Sequence, residues 1–196
     1  MVPEYMRKIT LDIETIGEFT RGAVNPTDLE LTLIGIHDSE TDEFSSYLKE
    51  DLPKLWPILE KADILIGYNS DHFDIPILNK YYSGNLSALR SVDLLKEIKN
   101  VLGRRLKLQS VAEATLGHGK TADGLIAMKW WKEGRIDDVR KYCLEDVRVT
   151  KDIYEYALKN GSVKYKDFDG VREIKLDTSG WEKENGGVAL THTLPF

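Results

Sequence analysis

The sequence has 196 residues, and its 27 lysines and arginines against 33 aspartates and glutamates give a formal net charge of −6 at neutral pH. A hydrophobic fraction of 41% is enough for one packed domain and excludes a disordered or collagen-like chain. The single cysteine excludes an internal disulfide and any zinc or iron–sulfur site built from several cysteines. The acidic balance argues against a partner that is bound through bulk positive charge, nucleic acid included.

The sequence carries no signal for a membrane. It has no apolar stretch of about 18 residues that could span a bilayer. The first residues, which include Glu4, lack the long apolar run of a secretory signal. We therefore expect no membrane association and a reducing, cytoplasmic location, which suits a single cysteine.

Apolar, β-branched runs and helical patterns follow one another along the chain. Strands are predicted over residues 7–13, 29–38, 42–48, 62–69 and 88–95, the last of which passes into a helix. Further helices are predicted over residues 51–62, with Asp51 as the N-cap, and over residues 74–82, 109–117, 122–134 and 136–158. This order predicts an α/β fold with a mixed sheet flanked by helices.

The C-terminal part has a different pattern. Residues 162–176 form two alternating runs around Asp169-Gly170, which predict a β-hairpin. We expect the polar tail that follows to be either disordered or docked through Trp181 and the end from Leu194 to Phe196. The predicted division of the chain is a domain over residues 1–160 and a C-terminal hairpin with its tail over residues 161–196.

Asp12 and Glu14 do not fit the pattern of solvent-facing charge. They lie at the end of the first predicted strand, where alternation places both side chains on one face and Ile13 on the other. Two like charges side by side repel each other, and hard divalent cations with oxygen ligands are a common way to offset that cost. An exposed D-x-E at a strand end, without a cation, explains the pattern equally well.

A further acidic position follows the fourth predicted strand. Asp74 opens an apolar helix, and by itself this position favours a simple helix N-cap. Asn69, five residues earlier, is the feature that an N-cap does not require. Asp93 stands in a similar place before a later helix, where either a position near the acidic site or capping of that helix explains it.

The last acidic position of interest lies on the long helix predicted over residues 136–158. Its buried stripe includes Cys143 and Val147, which leaves Tyr142 and Asp146, four residues apart, together at the edge of that stripe. An ordinary hydrogen bond between tyrosine and aspartate would also explain the pair. Glu145 lies further round the helix, towards solvent.

In order, these motifs are D-x-E at 12–14, N-x-x-x-F-D at 69–74 and Y-x-x-x-D at 142–146. This combination resembles the three exonuclease motifs of the DEDD superfamily of 3′-to-5′ exonucleases, which have an RNase H-like fold. The tyrosine indicates the DEDDy branch, because Lys141 stands where the histidine branch carries its histidine. The resemblance covers residues 7–158 and is nearest to the stand-alone exonucleases related to the proofreading domain of family-B DNA polymerases.

The resemblance implies roles for five residues. Asp12, Glu14, Asp74 and Asp146 would bind two divalent metal ions, and Tyr142 would orient the attacking water. Two such ions favour attack by the water, neutralise charge on the phosphate and stabilise the leaving 3′ oxygen. Mg²⁺ or Mn²⁺ suits an all-oxygen site, whereas zinc favours histidine and cysteine ligands.

Further residues are candidate substrate contacts. Phe73 is expected to pack on the terminal base or sugar, and Lys120, in a glycine-rich loop, to touch a substrate phosphate. That loop also resembles the end of a P-loop, but Ala114 stands where the first glycine would be. Residues 96–107 hold five basic side chains against one acidic one, which indicates either a solvated helix face or a track for the nucleic-acid backbone. The substrate candidates are Thr15, Asn69, Phe73, Lys120, Arg104, Arg105 and Lys107.

We therefore expect a Mg²⁺- or Mn²⁺-dependent exonuclease that removes nucleotides from a single-stranded 3′ end and releases 5′-monophosphates. DNA repair is the process that the resemblance suggests for it. An RNase H-like endonuclease or an RNA-directed exonuclease with the same acidic cluster is a second interpretation, and a non-catalytic nucleic-acid-binding module is a third. The sequence does not distinguish DNA from RNA, and it identifies no protein partner.

Overall fold

The computed structural model describes residues 6–17, 25–118 and 124–183, and its main sheet has five strands in the order β3-β2-β1-β4-β5. These strands are β1 (Lys8–Ile16), β2 (Glu30–Asp38), β3 (Glu43–Leu48), β4 (Ile64–Gly67) and β5 (Ser91–Asp93). The first three pair antiparallel, whereas β4 and β5 run parallel to β1. The predicted mixed sheet is confirmed.

Helices pack around this sheet. Within the described residues they are α1 (Leu52–Leu59), α2 (Asp74–Leu78), α3 (Leu94–Leu102), α4 (Leu108–Leu116), α5 (Gly124–Lys132) and α6 (Ile136–Asn160). None of these helices combines the length and the apolar character that crossing a lipid bilayer requires.

The start of α1 and the end of α2 differ from the prediction. Asp51 holds the N-cap position of α1, but its carboxylate accepts a hydrogen bond from Lys54 Nζ (2.6 Å) and caps no backbone N–H of the helix. The second helix, α2, has five residues rather than nine. Beyond Leu78 the backbone turns more tightly, and the Asn79 side chain binds Ser87 Oγ (3.0 Å) in the next loop. Local side-chain bonds of this kind compete with helix continuation.

The first strand is longer than predicted, so the D-x-E pair lies within β1 and not at its end. The strand continues to Ile16 because its last two residues still pair with β2. The register shifts between Glu14 and Thr15, where Thr32 is the extra residue of β2 and donates its hydroxyl to the Glu14 carbonyl (2.9 Å). Bulges of this kind change the direction of side chains and are frequent next to active sites.

Two hydrophobic clusters form the core on opposite faces of the sheet. Along β4, Leu65 belongs to the first cluster and Ile64 and Ile66 to the second, as alternation requires. The first cluster joins β1 and β2 to α1 and α2. The second joins β4 and β5 to α3, α4, α6 and the C-terminal strands. Alternation on β1 therefore directs Asp12 towards the face that α6 covers.

The longest helix, α6, packs on β1 and β2. Its predicted stripe is confirmed, since Val139, Cys143 and Val147 are fully buried. The helix ends at Gly161, whose φ of 62° is left-handed. At Gly35 of β2 a Cβ atom would lie only 2.9 Å from Cys143 Sγ. Glycine at this position therefore allows α6 to lie close against the acidic face of the sheet.

The predicted C-terminal hairpin is confirmed as β6 (Ser162–Asp167) and β7 (Gly170–Lys175), which packs on α3, α4 and α6. The described part of the tail docks through Trp181, which is 5% exposed and stacks on Tyr154 with ring centroids 5.4 Å apart. The other expected anchor, Leu194 to Phe196, lies outside the described residues. The division of the chain at residue 160 stays a prediction.

Candidate active site

The strand β1 presents two acidic side chains beneath α6. Asp12 pairs in register with Gly35 of β2, and Glu14 is 9% exposed. One oxygen of each carboxylate and Cys143 Sγ all lie within 4.8 Å of one another. The alternation read from the sequence thus produces a compact cluster, to which a cysteine contributes the third polar atom.

Cys143 connects α6 to the acidic pair. Its thiol donates a hydrogen bond to the Asp12 carbonyl (3.3 Å) and lies 3.7 Å from Asp12 Oδ2. Burial, followed by the charges of Asp12, Glu14 and Asp146, raises the pKa of the thiol well above its usual range. The thiol therefore stays protonated and remains a donor. Asp146, three residues further along α6, is one of the charges that act on this thiol.

Asp74 reaches the same place from the first turn of α2. It is 4% exposed, and the backbone N–H of Ile13, which lies between the two acidic residues of β1, binds its carboxylate. Burial raises the pKa of this carboxyl to about 7 against the lowering effect of the N–H groups of Asp74 itself and Ile13, and the charge of Asp93 adds to the rise. Phe73, and not Asp74, holds the N-cap position of α2. The simple capping role is therefore wrong for Asp74.

Asp93 holds the β4–α2 loop, which leads to Asp74. Its buried carboxylate accepts hydrogen bonds from the backbone N–H groups of Asn69 (2.8 Å) and Asp71 (3.2 Å), and from two N–H groups at the start of α3. Asn69 has a φ of 69°, a left-handed conformation that asparagine adopts more often than most non-glycine residues. Asp93 therefore caps α3 and also fixes the approach of Asp74 to β1.

Tyr142 and Asp146 lie one turn apart on α6 and are 6% and 3% exposed. The ring of Trp130, on α5, packs edge-on against the Tyr142 ring, with centroids 6.2 Å apart. The guanidinium of Arg135 lies over the Trp130 ring, 5.2 Å from its centroid. The phenol is thus held in position by α5, and Trp130 is a half-buried support rather than a stacking platform.

The donor set of this cluster fits hard divalent cations. We use the name carboxylate cluster for Asp12 and Glu14 on β1, Asp74 at the start of α2 and Asp146 in the middle of α6, and Glu14, Asp74 and Asp146 are each no more than 9% exposed. Like charges that are buried together are unfavourable unless a cation or a proton offsets them. Carboxylate oxygens are ligands that Mg²⁺ and Mn²⁺ prefer.

A family model described as the RNase H superfamily matches residues 9–158, which is most of the chain. The matched range contains all four carboxylates of the cluster and Tyr142. The chain belongs to the RNase H superfamily. The RNase H-like α/β fold that the sequence predicts is thereby confirmed together with the mixed sheet.

A solved structure supports the same fold for this RNase H superfamily member. The family B DNA polymerase from the hyperthermophilic archaeon Pyrobaculum calidifontis is similar with a TM-score of 0.61 and 20% sequence identity. The match covers 80% of this chain and 25% of the polymerase, so the chain corresponds to a small part of that protein. The expected relationship to family-B polymerases is confirmed at the level of the fold. A comparison with curated protein sequences finds no match.

The substrate candidates near the cluster of this superfamily member lie on β1 and in the β4–α2 loop. Thr15 is 9% exposed and follows Glu14 directly. Phe73 is half-buried and packs against the first hydrophobic cluster, beside Asp74. Asn69 opens the loop, and its side-chain oxygen accepts a hydrogen bond from Arg105 Nη2 (2.6 Å). This bond brings the basic segment to the edge of the site.

The remaining basic candidates lie further away or outside the described residues. Arg104 approaches the C-terminal hairpin, 3.8 Å from Asp167 Oδ2. Lys107 is exposed at the N-cap position of α4. Lys120 lies outside the described residues. The structure thus joins one part of the basic segment to the acidic cluster and another part to the hairpin.

Sequence reasoning missed the contact of Cys143 with Asp12 and the bonds of Asp93 to the β4–α2 loop. Cys143 fits the buried stripe of α6 and is separated from Asp12 by 131 positions, so nothing local marks their contact. Asp93 is recognisable as a helix cap, but its bonds to the preceding loop are formed 22 and 24 positions away. The sequence does indicate that Cys143 lies near Asp146, because the two residues are three positions apart on the predicted helix.

Proposed function

We propose that the protein is a metal-dependent 3′-to-5′ exonuclease of the DEDDy type, which hydrolyses phosphodiester bonds at the 3′ end of single-stranded DNA or RNA. Each turnover would release one nucleoside 5′-monophosphate. Three observations support the proposal: oxygens of Asp12 and Glu14 lie within 4.8 Å of each other, the Ile13 N–H between them binds the Asp74 carboxylate, and Tyr142 lies one helical turn from Asp146. Membership in the RNase H superfamily supports a nuclease.

The reaction sets three requirements that this site can meet. Bound divalent ions supply activation of the water, neutralisation of the phosphate charge and stabilisation of the leaving 3′ oxygen. Asp12, Glu14, Asp74 and Asp146 are the residues that would hold two such ions. Tyr142 would accept or donate one hydrogen bond to the attacking water and so fix its direction.

Two neighbouring residues keep the proposed ligands in place before a substrate arrives. The thiol of Cys143 binds the Asp12 carbonyl, and Asp93 binds the loop that ends in Asp74. Ligands that are held in this way need little rearrangement when the substrate binds. Phe73, next to Asp74, is the proposed contact for the terminal nucleotide, and Lys120 is the proposed contact for a phosphate.

A labelled oligonucleotide tests the activity. With a 5′-labelled single strand and Mn²⁺ or Mg²⁺, we expect a ladder of products shortened from the 3′ end and release of 5′-monophosphates. Asp146→Asn should lower the rate by about 10³-fold or more, because it removes a charged ligand. Glu145→Gln is the matched control on the same helix, where the carboxylate pairs with Arg148 (3.6 Å), and its rate should stay within about twofold of the wild type.

Other results would favour the alternatives. Cleavage of a circular single strand would indicate an endonuclease, since a circle has no 3′ end. A preference for RNA over DNA in the same assay would indicate an RNA-directed exonuclease. Absence of any cleavage together with absence of Mn²⁺ binding in calorimetry would leave a non-catalytic module, and a ladder unchanged by Asp146→Asn would reject the proposed site.

A further inference from the structure

An apolar patch lies outside the proposed active site. Among the described residues, three large hydrophobic side chains are strongly exposed: Val101 (58%), Phe168 (105%) and Val171 (61%). Val101 is in the last turn of α3, Phe168 is in the β6–β7 turn and Val171 is the second residue of β7. Because α3 packs against β7, the three side chains come from adjoining elements. A fully exposed aromatic ring in a turn can be reached from both of its faces.

Cationic side chains flank this patch. Arg104, just after α3, lies with its guanidinium 5.4 Å from the centroid of the Tyr165 ring and 3.8 Å from Asp167 Oδ2. Arg172 on β7 binds Asp169 (2.9 Å) and approaches Asp167 (3.6 Å). The side chains of both arginines remain more than half exposed, so a phosphate can still reach them.

The local charge is opposite to that of the whole chain. Residues 104–107 and 162–175 together hold seven basic against three acidic side chains, whereas the whole chain has a net charge of −6. A polyanion would therefore be attracted to this surface rather than to the protein in general. Exposed aromatic rings among arginines are typical of surfaces that bind single-stranded nucleic acid.

The same surface is connected to the proposed active site. Arg105, the neighbour of Arg104, donates to Asn69 Oδ1 (2.6 Å), and the hydroxyl of Tyr68 donates to the Leu106 carbonyl (2.9 Å). The segment that contacts the hairpin through Arg104 is therefore bound on its other side to the loop that leads to Asp74. A nucleic-acid strand leaving the cluster along this segment would pass the arginines and arrive at the hairpin turn.

We propose that Phe168, together with Arg104 and Arg172, forms a second contact for the single strand, upstream of the 3′ end that is cleaved. A base stacks on the Phe168 ring, and the phosphates on either side of it bind the arginines. This proposal rests on the proposed function only for the identity of the substrate, a nucleic-acid single strand. The surface would contribute binding affinity and take no part in catalysis.

Binding without cleavage tests the surface. Fluorescence anisotropy in the presence of a chelator should be measured with labelled single strands of about 4 and about 16 nucleotides, since such proteins contact strands of these lengths. We expect the wild type to bind the longer strand more tightly. Phe168→Ala should weaken binding of the longer strand by at least about fivefold, the equivalent of about 1 kcal/mol. It should leave binding of the shorter strand unchanged.

Two further variants control this comparison. Phe168→Trp keeps a stacking ring and should bind both strands as the wild type does. Lys54→Gln removes an exposed cation that is ion-paired, as Arg172 is, but that lies on α1, and it should not change binding. Arg172→Gln should weaken binding of the longer strand and reduce its dependence on salt.

The outcomes separate this proposal from the proposed function. Equal binding of the longer strand by wild type and Phe168→Ala would overturn the second contact and leave the patch to a protein partner. Equal loss for both lengths would also overturn it, because the effect would then not depend on strand length. If the longer strand binds more tightly through Phe168 but the protein produces no ladder of shortened products, the second contact is supported and only the exonuclease activity is rejected.

Discussion

The carboxylate cluster and the β6–β7 turn are opposite extremes of burial in one molecule. In the cluster, Glu14, Asp74 and Asp146 are at most 9% exposed, and backbone N–H groups and a thiol hold the elements that carry them. In the turn, Phe168 is fully exposed and Arg172 is held by ion pairs at the surface. Surface ion pairs contribute about 0–1 kcal/mol each, whereas an uncompensated buried polar group costs about 1–3 kcal/mol. Changes to the turn should therefore cost little stability, whereas removal of a group that holds the elements of the cluster should cost more.

The largest effect on stability should follow from loss of Asp93. Asp93→Ala leaves four backbone N–H groups, two in the β4–α2 loop and two in α3, without their acceptor. We expect the free energy of unfolding to fall by about 3 kcal/mol, as measured by urea denaturation. Glu97→Gln, in the helix that Asp93 caps, is the control, and its free energy of unfolding should fall by less than about 0.5 kcal/mol. A similarly small loss for Asp93→Ala would show that the loop is not held by this residue.

Tyr142→Phe should separate catalysis from folding inside the buried region. The ring contact with Trp130 is kept and only the hydroxyl is removed. We expect kcat to fall by about 10²-fold while the affinity for Mn²⁺ and the melting temperature stay close to those of the wild type. The oligonucleotide ladder gives the rate, and calorimetry gives the metal affinity. Loss of Mn²⁺ binding in this variant would contradict a role limited to the attacking water.

Loss of the ion pair between Arg7 and Asp38 should lower the free energy of unfolding by an intermediate amount that depends on pH. Burial opposes ionisation of Asp38, but the hydrogen bonds from Arg7 and from the backbone of Glu40 outweigh it and lower its pKa. A carboxyl whose pKa is lower in the folded state stabilises the fold above its unfolded pKa of about 3.9 and loses that contribution as pH falls through the folded value.

Asp38→Asn tests this pH dependence. The variant should have a free energy of unfolding about 1 kcal/mol below that of the wild type at neutral pH, because it loses the ion pair with Arg7. The difference between the two proteins should shrink below about pH 4, as Asp38 of the wild type takes up a proton first in the unfolded chain and then, at lower pH, in the folded protein. Urea denaturation at a series of pH values gives both numbers. A difference that stays constant on acidification would contradict the lowered pKa.

The smallest effect on stability should occur at the hairpin turn. Phe168→Ser removes an aromatic ring that is fully exposed, so the free energy of unfolding should change by no more than about 0.5 kcal/mol. Thermal unfolding followed by circular dichroism measures the change. A loss of more than about 1 kcal/mol would mean that the ring packs on the protein, and the contrast between the two regions would then fail.

Elements with dense local signals could be predicted from the sequence. The stripe that includes Val139, Cys143 and Val147 defines α6, and Asp169-Gly170 between two alternating runs defines the hairpin. The acidic positions could also be picked out from the sequence, because each stands next to an apolar run where a charged residue is unexpected. These signals depend on spacing within a few residues of the chain, which the sequence displays directly.

Features that depend on distant contacts could not be predicted. The length of β1 depends on a bulge at Thr32 of the neighbouring strand, and the end of α2 depends on a side-chain bond from Asn79 to the next loop. The second role of Asp93 and the position of Cys143 beside Asp12 need the assembled sheet and helix. The close contact at Gly35 has no local signature either, since a glycine within a strand has many explanations.

The burial of Cys143 gives the protein its own chemical reporter. It is the single cysteine of the sequence, its side chain is fully buried, and it lies between Asp12 and the backbone of Gly35. A thiol-modifying reagent can reach this sulfur only when α6 separates from β1, so the rate of labelling measures how often that separation occurs. An ion held by the surrounding carboxylates would join the same two elements and slow the labelling. Occupancy of the site could thus be followed on the unmodified wild-type chain, without any substrate.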